Sequence, residues 1–342
     1  MSDLSRIGLV AIGRNEGERL KRCLRSIAPG IPVVYVDSGS TDGSQDFARA
    51  LGMGVEILST DRGFTAARAR NAGWRRLSTE WPELDYIQFV DGDCELDPDW
   101  LATAQAALRA EPALCAVFGR RRERFPDASA YNALCDDEWN VPVGLVNACG
   151  GDALFRLAAL VEAGGYSDYL IAGEEPDLCL RLRLKGWSIR RIDAEMTLHD
   201  ADIHSAQPWW LRARRSGHAF AEHVVRHGAQ ADPVWRRQRN SIILWGGIVP
   251  ALIMVLALAA AIAGSPGPGL AALLGLATYP AQVARIAFRK WRAGARPRFA
   301  LNYGLWIMLG KFAQFGGVAR FHWKRWRGGT HRIIEYKGAS TP

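Results

Sequence analysis

The chain has no Asp, Glu, Lys or Arg between residues 241 and 284, although charged residues make up 23% of its 342 positions. An apolar stretch of this length is too long for one core helix and suits two membrane passes of about 20 residues each. We therefore predict helices from Ser241 to Gly264 and from Leu270 to about Phe288, joined by an uncharged turn that contains two prolines. A buried helical hairpin in a soluble protein is the alternative.

Cysteine spacings typical of metal sites are also missing. The six cysteines form neither a CxxC pair nor a zinc-finger spacing, which excludes the common structural zinc motifs and indicates reduced thiols in a cytoplasmic compartment. The first residues, Met1 to Arg6, lack a basic region followed by a long apolar run. We therefore expect no cleaved signal peptide, and we expect the first domain to stay in the cytoplasm.

Positive charge is present in excess, at a formal net charge of +8. Much of it lies in runs that flank the apolar block, such as residues 235–239 and 289–292, and these runs also carry tryptophan. This placement suits anionic lipid headgroups and the positive-inside rule better than a nucleic-acid groove. Membrane lipids are therefore the expected partner, and nucleic acid is not.

Short apolar runs alternate with helical patterns through the first 110 residues. Strands are predicted at residues 7–12, 31–36, 54–58 and 85–90, with helices between them and a further helix over about 98–110. Such alternation predicts βαβ units and a parallel sheet, which binds its ligands at the carboxyl ends of the strands. After a strand at 114–118, residues up to about 146 are predicted to form a long irregular stretch, followed by a flexible turn at 147–155 that leads into a helix.

Carboxylates follow several of these predicted strands. Asp91 and Asp93 flank a glycine directly after the fourth strand, where two oxygen donors on a tight turn suit Mg²⁺ or Mn²⁺ and its phosphate ligands. An ordinary Asp-Gly turn is the alternative. Asp37 follows the second strand and is interpreted as a ligand of a base or ribose, with turn capping as the alternative. Arg70, near a helix start, can meet a diphosphate or simply face solvent.

A second acidic cluster, at Glu174, Glu175 and Asp177, opens the helix over residues 178–185. Acidic residues at a helix start are also what the helix dipole favours, but three in four positions exceed what a cap needs. One of these carboxylates can serve as a general base. His199, which follows a predicted strand at 187–192, is a further candidate metal ligand, although a lone histidine is more often structural.

The order of these motifs resembles that of family 2 glycosyltransferases with the GT-A fold. The shared motifs are Asn15-Glu16, Val36 to Asp42, Ala69 to Gly73, Asp91 to Asp93, Gly150 to Asp152 and Glu174 to Leu178. The resemblance covers about residues 7 to 205 and implies a Rossmann-like mixed α/β sheet with flanking helices. It also implies inverting transfer of a hexose from a nucleotide-diphosphate sugar, most often a uridine one, with a divalent cation, Mg²⁺ or Mn²⁺.

The resemblance also suggests roles for individual residues. Ala11, Glu16 and Asp37 would line the nucleoside pocket, Arg70 would lie near the diphosphate, and Gly151 and Asp152 would lie beside the sugar and acceptor. Asp91 would touch ribose or metal, and Asp93 and His199 would hold the metal. The family's usual base is the aspartate of a Glu-Asp pair, which falls on Glu175 here, so Asp177 is kept as the second candidate.

We expect four parts: a GT-A catalytic domain at 1–205, amphipathic linker helices at 206–240, a transmembrane hairpin at 241–288, and a basic loop, interfacial or re-entrant helix and cytoplasmic tail at 289–342. The family's full Gln-X-X-Arg-Trp motif is absent after Gln207. A third apolar segment, 299–318, contains Lys311 and precedes a basic run. If this segment spanned the membrane, the basic run would lie outside, against the positive-inside rule. We therefore expect it not to span, which leaves both termini on the cytoplasmic side. Anchoring at that membrane favours a lipid, lipid-linked or cell-surface glycan acceptor, as in cell-envelope synthesis.

Two alternatives remain open at the level of the sequence. A sugar-phosphate nucleotidyltransferase on a related sheet would need a Gly-rich phosphate loop after the first strand, which Gly13-Arg14-Asn15-Glu16 matches poorly. A catalytically silent membrane scaffold would bind nucleotide without turnover, and the intact Asp93 and Glu175 argue against it. Fold alone does not decide between these functions.

Overall fold

The computed structural model of the protein describes residues 4–59 and 63–328. It contains two compact units, one ending at His204 and the other beginning at Ser205. Arg62 and the end of the predicted cytoplasmic tail, residues 329–342, lie outside the described residues.

The first unit is an α/β structure. Its strands are β1 (Ile7–Gly13), β2 (Val33–Asp37), β3 (Gly54–Ile57), β4 (Tyr86–Asp91), β5 (Cys94–Leu96), β6 (Leu114–Glu123), β7 (Gly144–Val146), β8 (Ala153–Arg156) and β9 (Ser188–His199). Its helices are α1 (Glu18–Arg25), α2 (Ser44–Ala50), α3 (Ala66–Glu80), α4 (Trp100–Ala110), α5 (Ala130–Glu138), α6 (Leu157–Ala163) and α7 (Glu174–Leu184). The first four strands and the helices between them lie close to their predicted positions.

All nine strands join one mixed sheet in the order β3-β2-β1-β4-β8-β6-β9-β5, with β7 paired to β9. The four strands β3, β2, β1 and β4 are parallel, whereas β8 runs antiparallel to both β4 and β6. The mixed α/β sheet with flanking helices confirms the predicted fold class. Because β1, β2 and β4 are parallel, their carboxyl ends meet at one edge of the sheet. Several of the predicted site residues lie at or just after these strand ends.

The core explains why the central strands are almost continuously apolar. Strand β1 is buried along nearly its whole length, as expected for a parallel strand that is covered on both faces. Helix α3 packs against it so closely that a Cβ on Gly73 would lie 2.4 Å from Cγ1 of Val10. In β4 the one polar side chain at a fully buried position, Gln88, accepts a 2.8 Å hydrogen bond from Nε1 of the buried Trp100.

The prediction of a long irregular stretch up to about residue 146 was wrong. Strand β6 continues to Glu123, and α5 and β7 follow it. The flexible turn predicted at 147–155 likewise ends in strand β8, and β9 continues to His199 instead of ending near 192. These segments are strands because of pairing with distant partners: β9 pairs with β5, β6 and β7, which no local pattern reveals.

The second unit is helical. Its helices are α8 (Ala206–His227), α9 (Pro233–Ile243), α10 (Val249–Ala263), α11 (Pro266–Arg292) and α12 (Pro297–Trp326), and a π-helical turn at Leu244–Ile248 joins α9 to α10. The segments Pro233–Ala263 and Pro266–Arg292 are long and apolar enough to cross a membrane. They cover the two predicted spans except for Gly264, and the segment 299–318 forms part of α12.

Small residues let the helices of this unit approach closely. A Cβ on Gly246 would lie 2.3 Å from the carbonyl oxygen of Lys311, and one on Gly317 would lie 2.0 Å from that of Arg214. Helix α12 therefore packs backbone to backbone against both the first apolar segment and α8. The assignment of residues 299–318 to an interfacial or re-entrant membrane helix stays a prediction.

Candidate functional site

The turn between β4 and β5 places Asp91 and Asp93 at the end of the parallel strands. The backbone N–H of Gly92 donates to the carbonyl oxygen of Ile12 at 2.8 Å. A Cβ on Gly92 would lie 3.0 Å from that oxygen and 3.2 Å from Cδ1 of Leu20. The close approach to β1 thus favours glycine at this position, and the two aspartates flank a turn that is hydrogen-bonded to β1.

His199 lies beside Asp93 because β5 and β9 pair antiparallel, with Cys94 opposite His199. Its Nε2 is 3.6 Å from Oδ1 of Asp93, and its Nδ1 is 2.9 Å from Oε2 of the buried Glu123. Burial and Arg121 lower the pKa of His199, but Asp93 and Glu123 outweigh them and raise it above its usual value. Glu123 fixes the ring so that Nε2 faces Asp93, as carboxylates do behind metal-binding histidines.

These donors fit a hard divalent cation. Ligand atoms of Asp93, Cys94 and His199 lie within 4.8 Å of one another. Burial raises the pKa of the Cys94 thiol well above its usual value, so the sulfur stays protonated and is a poor ligand for Mg²⁺ or Mn²⁺. The carboxylate of Asp93 and Nε2 of His199 remain as the oxygen and nitrogen donors that such a cation accepts.

Asp91 forms ion pairs with two arginines, Arg70 and Arg121. Its Oδ1 is 2.9 Å from Nη2 of Arg70, and its Oδ2 is 3.3 Å from Nη1 of Arg121. Burial raises the pKa of Asp91, but the two guanidinium groups outweigh it and lower the pKa below its usual value. Asp91 is therefore an ionised link between Arg70 and Arg121, and its predicted contact with ribose or metal stays a prediction.

Arg70 joins this turn to the acidic cluster at the start of α7. Its side chain is only 3% exposed, and Nη1 lies 3.1 Å from Oε1 of Glu174 and 3.0 Å from Oε1 of Glu175. Burial, followed by the charge of Glu174, raises the pKa of Glu175 to about 7, while Arg70 acts in the opposite direction. A carboxylate with a pKa near neutrality is suited to accept a proton in a catalytic reaction.

Arg70 is itself positioned by contacts in the first half of α3. Thr65 caps the helix by accepting from the backbone N–H of Arg68 at 3.1 Å. Asn71 donates to the carbonyl oxygen of Tyr166 at 2.7 Å and accepts from the backbone N–H of the same residue at 2.9 Å. The Ala-Arg-Asn-Ala-Gly motif thus ties α3 to the segment before α7, and Arg70 pairs with Asp91 at the end of β4 and with Glu174 and Glu175 of α7.

Asp177, the second candidate base, is engaged elsewhere. Its Oδ2 accepts hydrogen bonds from Oγ of Ser167 at 2.8 Å and from Nε of Arg181 at 3.0 Å. Its side chain is 2% exposed, against 16% for Glu175. The two candidates therefore differ in access, and the geometry favours Glu175.

Gly151 and Asp152 lie against the Asp91 side of the cluster. A Cβ on Gly151 would lie 2.4 Å from Nη2 of Arg70 and 2.9 Å from Oδ2 of Asp91. The buried Asp152 accepts from the backbone N–H of Asp91 at 3.0 Å and from the hydroxyl of Thr197 at 2.9 Å. Gly151 leaves room for the Arg70–Asp91 pair, and Asp152 joins β4 to β9.

The residues predicted to line a nucleoside pocket lie at the ends of β1 and β2. Asp37 is fully buried and accepts from the backbone N–H groups of Gly39 and Ser40, at 2.9 and 2.8 Å, and from the Tyr35 hydroxyl at 2.9 Å. Glu16 forms a 2.9 Å ion pair with Arg19, and Ala11 is buried within β1. Asp37 thus shapes the turn that follows it, and nucleoside contact stays a prediction for all three.

Four residues of the site were not predicted from the sequence: Arg121, Glu123, Trp139 and Thr197. Arg121 and Glu123 occupy alternate positions of β6, beyond the point where that strand was predicted to end. The ring of Trp139 packs edge-on against His199, with centroids 4.3 Å apart, and lies 4.5 Å from the guanidinium carbon of Arg121. The period-two spacing of Arg121 with Glu123 and of Thr197 with His199 was the available signal.

The chain is similar to known glycosyltransferases. Residues 10–143 match the family model described as glycosyl transferase family 2. The chain is 28% identical over 257 residues to a pre-mycofactocin glycosyltransferase of Mycobacterium tuberculosis, covering 71% of this chain and 51% of that protein. It is 25% identical over 213 residues to the glycosyltransferase AglE of Haloferax volcanii, covering 57% of this chain and 65% of that protein.

A solved structure supports the fold. The mannosyltransferase PcManGT from Pyrobaculum calidifontis, determined in complex with GDP-Man and Mn²⁺, superposes with a TM-score of 0.56 at 22% sequence identity, over 88% of this chain and 86% of that chain. The chain spans only about half to two thirds of the length of the curated relatives above. The chain is thus similar to glycosyl transferase family 2 over residues 10–143, and its mixed α/β sheet shares the fold of that solved mannosyltransferase.

Proposed function

We propose that this protein is a metal-assisted, inverting glycosyltransferase that moves a sugar from a nucleotide-diphosphate sugar to an acceptor hydroxyl. One observation carries the proposal: Arg70 and Asp91 link the acidic start of α7 to the turn that bears Asp93, within one buried network. Asp93, the proposed cation ligand, and Glu175, the proposed base, are linked by this network. The glycosyltransferases among its relatives support the same activity.

The residues divide the work by charge. Asp93 and His199 would hold the divalent cation, which, when bound, supplies positive charge to the diphosphate leaving group. Arg70 offers the adjacent diphosphate a guanidinium group that is kept protonated by its carboxylate partners. Glu123 holds the His199 ring, and Asp152 holds the backbone of Asp91.

Glu175 is proposed as the base that deprotonates the acceptor hydroxyl. Its pKa of about 7 lets it take a proton and release it again near neutral pH. A single base is sufficient when the hydroxyl attacks the face of the anomeric carbon opposite the leaving group, so that the configuration is inverted. Asp177, bound to Ser167 and Arg181, is retained only as the second candidate.

A uridine diphosphate sugar is the proposed donor, and a lipid, lipid-linked glycan or surface glycan is the proposed acceptor. Two helices that are long and apolar enough to cross a membrane support a site at a membrane surface. The basic runs at Arg236–Arg239 and Arg289–Arg292 favour placing the catalytic unit on the cytoplasmic side. Ala11, Glu16 and Asp37 are proposed to border the nucleoside.

The test is release of nucleoside diphosphate from a panel of uridine, guanosine and thymidine diphosphate sugars, with lipid extract as acceptor source. Membranes would carry the wild type, Asp93→Asn, or the matched control Asp99→Asn, which changes an exposed aspartate of the same segment. We expect release from one donor class that requires Mn²⁺ or Mg²⁺, is lost in Asp93→Asn and persists in the control. Turnover that is independent of metal, or that Asp93→Asn leaves intact, would contradict the proposal.

The acceptor class is tested with a donor carrying a radiolabelled sugar. A lipid or lipid-linked acceptor predicts that label moves into the organic phase on solvent extraction, in an amount that increases with added lipid extract. Label found only in water-soluble product would refute the lipid assignment while leaving the transferase proposal intact.

A further inference from the structure

The ligand-free cluster contains more negative than positive groups. Its carboxylates are Asp91, Asp93, Glu123, Asp152, Glu174 and Glu175, and its guanidinium groups are Arg70 and Arg121. Arg70 forms ion pairs with Glu174 and Glu175. Arg121 is therefore the guanidinium closest to the side where Asp93 and His199 offer their donors.

Arg121 faces the same oxygen that a cation would use. Oδ1 of Asp93 lies 3.9 Å from Nη2 of Arg121 and 3.6 Å from Nε2 of His199. The other guanidinium nitrogen, Nη1, lies 3.3 Å from Oδ2 of Asp91 and 3.2 Å from Oδ2 of Asp152. One guanidinium group, with a single positive charge, thus faces three carboxylates at the place where a divalent cation would bring two positive charges.

Arg121 is also held more loosely than Arg70. Its three carboxylate distances run from 3.2 to 3.9 Å, whereas those of Arg70 run from 2.9 to 3.1 Å. In both arginines Nε is buried and has no hydrogen-bond acceptor among the described residues, so this atom does not distinguish them. Each arginine also rests on an aromatic ring, Arg121 on Trp139 and Arg70 on Tyr166, so the longer carboxylate distances of Arg121 are what separates the two. Of the two arginines, Arg121 is the one that can shift without breaking short ion pairs.

We propose that Arg121 is an internal counter-ion that competes with the divalent cation for Asp93 and passes to the diphosphate when donor and cation bind together. Two like charges a few ångströms apart repel, so the need to displace Arg121 lowers the affinity for the cation unless a new anion accepts that arginine. The diphosphate is such an anion. Cation and diphosphate then bind cooperatively, and each raises the affinity for the other by the same factor.

This inference rests on the proposed cation site, but it is tested without sugar transfer. The measurement is Mn²⁺ binding to the full chain, followed by the electron paramagnetic resonance signal of free Mn²⁺, with and without inorganic pyrophosphate. The variants are Arg121→Met, which removes the charge, and Arg121→Lys, which keeps it. The matched control is Arg122→Met, on the next residue of β6, where the exposed Arg122 forms two 2.6 Å hydrogen bonds with Glu195 on the other face of the strand.

We expect Arg121→Met to bind Mn²⁺ alone on the order of tenfold more tightly than the wild type, because one competing charge is gone. Arg121→Lys and Arg122→Met should remain close to the wild type. Pyrophosphate should strengthen Mn²⁺ binding in the wild type and much less in Arg121→Met. Thermal unfolding of each variant reports whether it is folded, and Arg121→Gln replaces Arg121→Met if the latter is not.

Three results would overturn the inference. The first is Mn²⁺ affinity in Arg121→Met that equals or falls below the wild type. The second is equal tightening in Arg121→Lys, which would assign the effect to packing instead of charge. The third is no Mn²⁺ binding in either the wild type or Arg121→Met. If Mn²⁺ binds as expected but no donor turns over, the proposed function fails and this inference stands.

Discussion

Glu174 offers a way to shift the pKa of Glu175 without touching it. Replacing Glu174 with glutamine removes a negative charge and keeps the size of the side chain and its ability to accept from Arg70. The nearest oxygens of Glu174 and Glu175 both lie close to Nη1 of Arg70, at 3.1 and 3.0 Å. They are therefore no more than about 6 Å apart, and their repulsion is worth about 3 kcal/mol at an effective dielectric constant of about 20.

That energy corresponds to about two pKa units. Burial, the larger cause of the high pKa, stays in the variant, so we expect the pKa of Glu175 to fall from about 7 by roughly one to two units. Glu175 must be ionised to act as a base. In the wild type, kcat/KM should thus decline as pH falls below about 7, about tenfold per pH unit, and in Glu174→Gln this decline should begin at a lower pH.

The assay is a pH profile of kcat/KM for nucleoside diphosphate release, with Glu83→Gln, an exposed glutamate in the turn before β4, as the control. The control should follow the wild-type profile. An acid limb that does not move in Glu174→Gln would refute the assignment of that limb to Glu175. A wild-type profile with no acid limb near neutrality would refute the idea that Glu175 must be ionised.

Two further substitutions test how the site is built. Gly151→Ala should lower kcat/KM by at least about 100-fold, because its Cβ would lie 2.4 Å from Nη2 of the immobilised Arg70; Gly150→Ala, whose Cβ meets nothing within 4 Å, should retain near wild-type activity, and equal losses would contradict the steric argument. Glu123→Ala should weaken Mn²⁺ binding by about 10- to 100-fold, because His199 loses the carboxylate that fixes its ring. Unchanged Mn²⁺ affinity, measured in the absence of donor, would show that His199 needs no such support.

The motifs at the carboxyl ends of β1, β2 and β4 could be located from the sequence, because each is local. An apolar run followed by Gly, Asp or Asn marks a strand end without knowledge of the rest of the chain. The Asp91-Gly92-Asp93 turn was located in this way, and the acidic start of α7 was located from its cluster of carboxylates before a helical pattern. The predicted helices of the apolar block also needed only composition, since 18 or more apolar residues are a strong local signal.

The second half of the site depends on pairing between distant strands. Arg121 and Glu123 reach the cluster only because β6 continues past Phe118 alongside β9, and the register between these two strands contains irregularities. No local pattern predicts that register, so the basic run at Arg120–Arg124 was indistinguishable from a charged loop. The same pairing turned the predicted irregular stretch into ordered structure.

Burial also separated residues that the sequence could not rank. Asp37 and Asp93 both follow buried strands, but Asp37 is completely enclosed by its own turn, while Asp93 keeps a 13% exposed side chain beside His199. Glu175 and Asp177 are two positions apart on α7. About 200° of helical rotation places them on different sides of the helix, one facing Arg70 and the other Arg181.

The central claim is that Glu175 takes the acceptor proton at a site where Asp93 binds the metal. The most direct test compares wild type and Glu175→Gln for Mn²⁺ binding, nucleoside diphosphate binding and sugar transfer in the same preparation. The account predicts that Glu175→Gln binds both ligands about as well as the wild type and loses at least about 1,000-fold in the rate of transfer. Transfer by Glu175→Gln at a rate close to that of the wild type would contradict it.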